Sequence, residues 1–213
     1  GATTVGFDRV AVGSTGAVRA VLLRNAGGAA LTLAAAAFRL VGADAASFSQ
    51  TNDCPEALAP NAGCTITLRF APATFGAKSA TLSVASNAPS GAVSASLAGT
   101  GTQAVLSVST ESLDFSDQVI AITSSVRAVT LTNSGNVAAT LSPVVLAGED
   151  AAAYALTSTC GATLVEGQSC AVNLTFTPAT LGGKSAVLKI TGDGISKDVF
   201  ISGFGVNDRK SSD

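Results

Sequence analysis

The sequence predicts an all-β chain of two tandem antiparallel sandwiches, each with one disulfide. Three observations carry that prediction. Short segments alternate apolar and polar residues, a domain-sized block is written twice, and each copy holds one Cys-x9-Cys pair. Strict alternation puts successive side chains on opposite faces of a sheet, so one face is buried and the other is wet.

The repeat sets the organisation. Leu23-Arg24-Asn25-Ala26-Gly27 returns 108 residues later as Leu131-Thr132-Asn133-Ser134-Gly135. Gly42, Asp44 and Phe48 return as Gly148, Asp150 and Tyr154, and Cys54, Leu58 and Cys64 as Cys160, Leu164 and Cys170, now 106 residues on. The run from Phe70 to Ala80 matches the run from Phe176 to Ala186. Each copy closes on Gly-x-Gly, at Gly99 and Gly101 and again at Gly203 and Gly205. A period of this length is that of a domain and not of a solenoid unit. The expected domains are 1–101 and 102–206, with a polar tail over 207–213 and a linker within 99–104. The first domain is expected to lack part of its leading strand, as if cut from a longer chain. Ala104-Val105-Leu106-Ser107-Val108 precedes Leu113 and Phe115, whereas only Gly1–Gly6 precedes Phe7.

Taken in order, Val21 and Leu23 mark an early strand. Leu33–Phe38 is alanine-rich and helical by propensity, but its counterpart Leu141–Leu146 holds Pro143 and paired valines, so a strand is expected. Gly42–Phe48 and Gly148–Tyr154 read as short helical turns, with Asp44 and Asp150 as caps. Cys64, Ile66, Leu68 and Phe70 alternate with Thr65, Thr67 and Arg69, the clearest strand of the chain. Ala80, Leu82 and Val84, then Val93, Ala95 and Leu97, give two more, and the second copy repeats the pattern. About seven short strands in ~100 residues, separated by Gly, Pro and Asn, read as an immunoglobulin-like sandwich.

Three roles compete for the cysteines. A zinc site favours Cys-x2–4-Cys spacing with four ligands in one place, and a redox pair favours Cys-x-x-Cys; neither spacing occurs. Structural bridges Cys54–Cys64 and Cys160–Cys170 are therefore expected, each worth about 3 kcal/mol on the chain-entropy estimate. They imply an oxidising compartment: periplasm, cell surface or the extracellular medium.

Composition removes several functions. The 213 residues include no His, Met or Trp. Without histidine, a Ser-His-Asp or Cys-His mechanism within this chain is excluded. Mean hydropathy is +0.46, yet no apolar run approaches the ~20 residues of a spanning helix, so no membrane insertion of this segment is expected. A net charge of −2 and a pI near 5.0 give no basic footprint for nucleic acid.

The remaining polar residues have structural readings. Asp53 and Glu56 flank Cys54 as solvated loop charges. Lys78 and Lys184 follow a glycine as solvated strand ends, the other reading being an intramolecular isopeptide bond. Asn25 and Asn133 suit a turn with positive φ. Phe75 and Leu181 are expected to plug the sandwich ends. Asn173 lies in a sequon, mid-strand. No catalytic, cofactor-binding or metal residue is expected, and no cofactor.

Leu-x-Asn-x-Gly, Gly-x-Asp with an aromatic, Phe-x-Pro-x-x-x-Gly-x-x-Ser-Ala and the closing Gly-x-Gly together resemble the ASH-type immunoglobulin-like domain, of abnormal-spindle and Hydin proteins. Similar tandem copies occur in exported bacterial choice-of-anchor D proteins. The resemblance covers essentially the whole chain. It implies a non-catalytic structural or adhesive module of an exported bacterial surface protein, with a protein or cell-surface or matrix partner. The alternative is a carbohydrate-binding accessory region of a secreted enzyme.

Overall fold

The computed structural model describes residues 3–208. Contacts between Cα atoms divide the chain into two compact units, Gly1–Gln103 and Ala104–Asp213. Each is a β-sandwich with its own core.

In the first unit the strands are β1 (Thr3–Ala11), β2 (Arg19–Arg24), β3 (Leu31–Val41), β4 (Phe48–Asn52), β5 (Ala57–Leu58), β6 (Gly63–Phe70), β7 (Gly76–Ser86) and β8 (Val93–Thr102). One sheet runs β1-β8-β7-β3-β5 and the other β2-β6-β4. Alternation fixes what each strand buries. From β6 come Cys64, Ile66, Leu68 and Phe70, from β7 Ala80, Leu82 and Val84, and from β8 Ala95 and Leu97. Burying a large apolar side chain contributes roughly 1.5–3 kcal/mol. Phe7, Phe48 and Phe70 meet at the centre, with ring centroids 5.0–5.7 Å apart, a spacing at which aromatic pairs attract.

The second unit repeats the plan with β9 (Leu106–Val108), β10 (Ser112–Val119), β11 (Arg127–Asn133), β12 (Ala139–Thr140), β13 (Val145–Ala147), β14 (Tyr154–Ser158), β15 (Thr163–Leu164), β16 (Ser169–Phe176), β17 (Gly182–Gly192) and β18 (Ile195–Val206). Its sheets run β10-β18-β17-β13 and β14-β16-β11-β9, with β12 and β15 as a separate pair. Phe115, Tyr154 and Phe176 form the matching aromatic cluster, 4.8–5.9 Å apart.

One pairing in each unit is parallel: β1 with β8, and β10 with β18. Alternation reports which face is buried but not strand direction, so a purely antiparallel sandwich needs this amendment.

Two further expectations change, and one is refined. The alanine-rich segment is strand, as context indicated, but its register slips between Leu33 and Phe38 as β3 pairs with β7. In the second unit the matching stretch is not one strand. A single bridge at Leu141 to Gly192 separates β12 from β13, and Pro143, which has no N–H for a ladder, lies in the gap. Gly99 and Gly101 are not a strand terminus and linker but lie within β8, as Gly203 and Gly205 lie within β18. A Cβ on Gly99 would stand 2.7 Å from the Phe70 ring, and one on Gly203 2.5 Å from Phe176. The first glycine of the motif makes room for the central aromatic, and the second for the turn that holds Pro72 or Pro178.

No helix among the described residues is long and apolar enough to cross a membrane. Of the tail expected over 207–213, positions 209–213 lie outside the described residues.

Candidate functional site

The cysteines are joined as Cys54–Cys64 and Cys160–Cys170, with Cα atoms 4.9 and 5.0 Å apart. Each bridge ties the loop after β4 or β14 to the start of β6 or β16. Backbone and side-chain bonds hold the same loop. Asp53 donates its N–H to the Thr65 carbonyl, and its carboxylate accepts the Thr65 N–H at 2.6 Å. In the second unit the Thr159 N–H reaches the Ala171 carbonyl and its hydroxyl accepts the Ala171 N–H at 2.9 Å. A hydroxyl thus does what the carboxylate does, and the shared role is to pin the loop. Asp53, Cys54 and Cys64 lie close enough together to suggest a metal site, but both sulfurs are spent in the disulfide and no thiolate is left to bind.

Asp44 and Asp150 precede the 3₁₀ turns Ala45–Ser47 and Ala151–Ala153, yet neither makes a side-chain cap. This corrects the capping expectation. Each carboxylate turns instead to the neighbouring strand β7 or β17, accepting the N–H of Ser79 or Ser185 at 3.0 Å. Each also faces a lysine, Lys78 or Lys184, at 3.6 Å. The lysines are not solvated strand ends either, with side chains only 13% and 17% exposed. Burial of the stem beside a carboxylate explains why lysine, and not any polar residue, occupies both positions. In the second unit the Tyr154 hydroxyl donates to the Lys184 carbonyl at 2.9 Å. Burial, with the nearby Asp150 and Asp114 carboxylates adding to it, pushes the phenol up to about 12. Asp114 moves the other way, held low mainly by the Ser116 N–H and then by the Ser202 hydroxyl.

Asn25 and Asn133 are buried and do not take positive φ; each serves its turn through the side chain instead, whose oxygen accepts the N–H two residues on. The Asn133 amide donates to the carbonyls of Val137 and Leu164 at 2.8 and 3.0 Å, and its oxygen accepts from Gly135 and Val105 at 3.0 and 3.2 Å. Asn25 makes the first three of these bonds, to Ala29, Leu58 and Gly27. Only a side chain with both a carbonyl and an NH₂ can satisfy such a set.

Phe75 and Leu181 are exposed and do not plug the sandwich ends. They stand at the tips of tight turns before β7 and β17. Asn173 lies mid-strand in β16, as its position in the alternation indicated.

No protein-family model matches the chain, and no curated protein matches it. Among solved structures, a fragment with extracellular cadherin domains 1–4 of protocadherin gamma B7 is similar over 96% of this chain and 49% of that one, at 7% identity and a TM-score of 0.56. A protein of unknown function from Porphyromonas gingivalis W83 matches over 92% and 94%, at 14% identity and a TM-score of 0.40. An ASH/PapD-like domain of human CEP192 matches over 48% and 85%, at 17% identity and a TM-score of 0.38. The chain has an immunoglobulin-like β fold.

One surface feature escaped the sequence reading. Phe200 and Phe204 are 63% and 48% exposed on the outer face of β18. Alternation gives them away in retrospect, since Val199 and Ile201 fill the inward positions.

Proposed function

We propose that the chain is a non-catalytic structural or adhesive module of an exported bacterial surface protein, built from tandem ASH-type domains of the choice-of-anchor D kind. The observation that carries the reading is the pair of repeated disulfides, each pinning the same loop of the same fold. Such bridges persist in oxidising compartments and are rare in reducing ones. The polar groups that recur between the copies support it as well, because they are bonded to backbone and to each other and leave no nucleophile beside a base. The partner is a protein or a cell-surface or matrix component. Antibodies raised against residues 1–213 should label intact cells of the source bacterium. Labelling that needs permeabilised cells overturns the reading.

A second reading, a carbohydrate-binding accessory region of a secreted enzyme, rests on Phe200 and Phe204. Both rings lie on one face of one strand, four residues and so about 13 Å apart, and exposed aromatic faces suit sugar contacts. Reproducible micromolar binding on a glycan array, lost in Phe200→Ala, favours it over the first.

A further inference from the structure

The repeat separates residues kept for the fold from residues that differ between the copies. Around the sheet β10-β18-β17-β13, Lys184, Ser185 and Gly203 repeat Lys78, Ser79 and Gly99. Their neighbours do not repeat. Asp114, Asp117, Ser202 and Phe204 stand where the first unit has Gly6, Arg9, Ala98 and Thr100, as the matching registers of β10 with β18 and of β1 with β8 show. Opposite Phe204, Gly183 takes the place of Ala77. These differences all border one cleft of about 540 Å³ on the outer face of the second unit. The face is open in both copies: the chain continues from β8, yet Gly6, Ala77 and Ala98 at the matching positions are exposed.

The cleft has an aromatic side and an anionic side. A Cβ on Gly183 would meet the Phe204 ring at 3.9 Å, so the glycine leaves the space beside the ring clear. From β10 come two exposed carboxylates, Asp114 and Asp117. Asp114 Oδ1 accepts the Ser116 N–H at 3.1 Å and the Ser202 hydroxyl at 2.9 Å, bonds that hold its carboxyl below the usual range. Its Oδ2 has only a long contact of 3.4 Å with the Ser116 hydroxyl. Ser116 takes a φ of 54° in this turn, a conformation that Asp8, its counterpart, does not adopt. Neither Asp114 nor Asp117 has an ion-pair partner among the described residues. Lys184 is committed to Asp150, Lys189 to Asp198, and Arg127 lies over the Phe115 ring.

Two unpaired carboxylates beside an exposed ring match a planar cation. A guanidinium forks onto carboxylate oxygens and stacks on an aromatic face, whereas an ammonium acts as a point charge. The ring quadrupole adds to the attraction.

We propose that this cleft is a docking site for an arginine side chain of a partner polypeptide, whose guanidinium lies on the Phe204 ring and donates to Asp114 and Asp117. The site deepens the binding-module reading and rests on it for the partner being a protein. It gives recognition to the second unit and not to the first.

The test uses the full chain, isotopically labelled, and blocked Gly-Arg-Gly at millimolar concentration. The amides of Ser116, Gly183 and Phe204 should shift, while those of Asp8, Ala77 and Thr100 should not. The same peptide with lysine should bind more weakly. With citrulline, which keeps the planar shape and loses the charge, it should not bind. Phe204→Leu should weaken binding about two- to five-fold, the worth of a cation–π contact at an exposed site, and Asp117→Asn about as much. Both variants should keep the parent's thermal midpoint, since both side chains are exposed. The absence of any shift overturns the site, as do equal shifts in the two units, a citrulline peptide that binds as well, or binding that survives both substitutions unchanged. Glucosamine hydrochloride that shifts the same amides at lower concentration would assign the cleft to an amino sugar and overturn the peptide. Arg209→Ser that moves these amides without peptide would mean that the chain's own tail fills the cleft, and would also overturn it. None of these outcomes alters antibody labelling of intact cells, so the two readings fail separately.

Discussion

Tyr154 is the only tyrosine, and there is no tryptophan, so phenolate absorbance in this protein reports one side chain. An ordinary tyrosine titrates near 10, whereas burial lifts Tyr154 to about 12. The native absorbance midpoint should therefore lie near 12 and fall to about 10 in denaturant. The sign for stability follows. The folded state holds its proton more tightly than the unfolded one, so the contribution is complete below pH 10 and is lost as pH climbs toward 12. A native midpoint at 10 would sink the argument. At Asn133 the issue is satisfaction and not charge. Asn133→Ala strands two carbonyls and two N–H groups, the Leu164 carbonyl in a buried bond and the others in partly buried ones, and a buried group left unmade costs about 1–3 kcal/mol. Urea unfolding should show a total loss of about 3 kcal/mol or more. A loss under about 1 kcal/mol would mean that water replaces the amide without cost.

At the scale of elements, the strands were legible because each writes its burial in alternation, and β6 and β16 sit where that alternation placed them. The roles of Asp44, Lys78 and Asn25 were not legible. Each reaches a backbone group or partner far along the chain, such as the 35 residues between Asp44 and Ser79, and local sequence carries no record of such a distance. The closing Gly-x-Gly shows the same limit, since its first glycine answers to an aromatic on another strand and its second to the Pro72–Thr74 or Pro178–Thr180 turn. That dependence can be measured. Gly203→Ala drives a Cβ into the Phe176 ring and should cost about 1–3 kcal/mol, the usual range for overpacking. Combined with Phe176→Leu, which vacates the space, the glycine change should cost less than it does alone. Simple additivity of the two losses would show that the close approach is not what the glycine serves.

For the molecule as a whole, the repeat makes one half a control for the other. The two units share their disulfide, aspartate–lysine pair, buried asparagine and aromatic cluster, so a difference in local stability traces to what they do not share. The clearest such feature is β9. Covering an edge protects its outward N–H groups from exchange, and where it also completes the core it raises the free energy of local opening. Hydrogen exchange on the intact chain should therefore find the amides of Thr130 and Thr132 protected, while those of Leu22 and Arg24 exchange far faster. The inward-facing amides on the β6 and β16 sides should differ much less, since both ladders are complete. Equal protection at Leu22 and Thr130 would mean that the β2 edge is already occupied in solution.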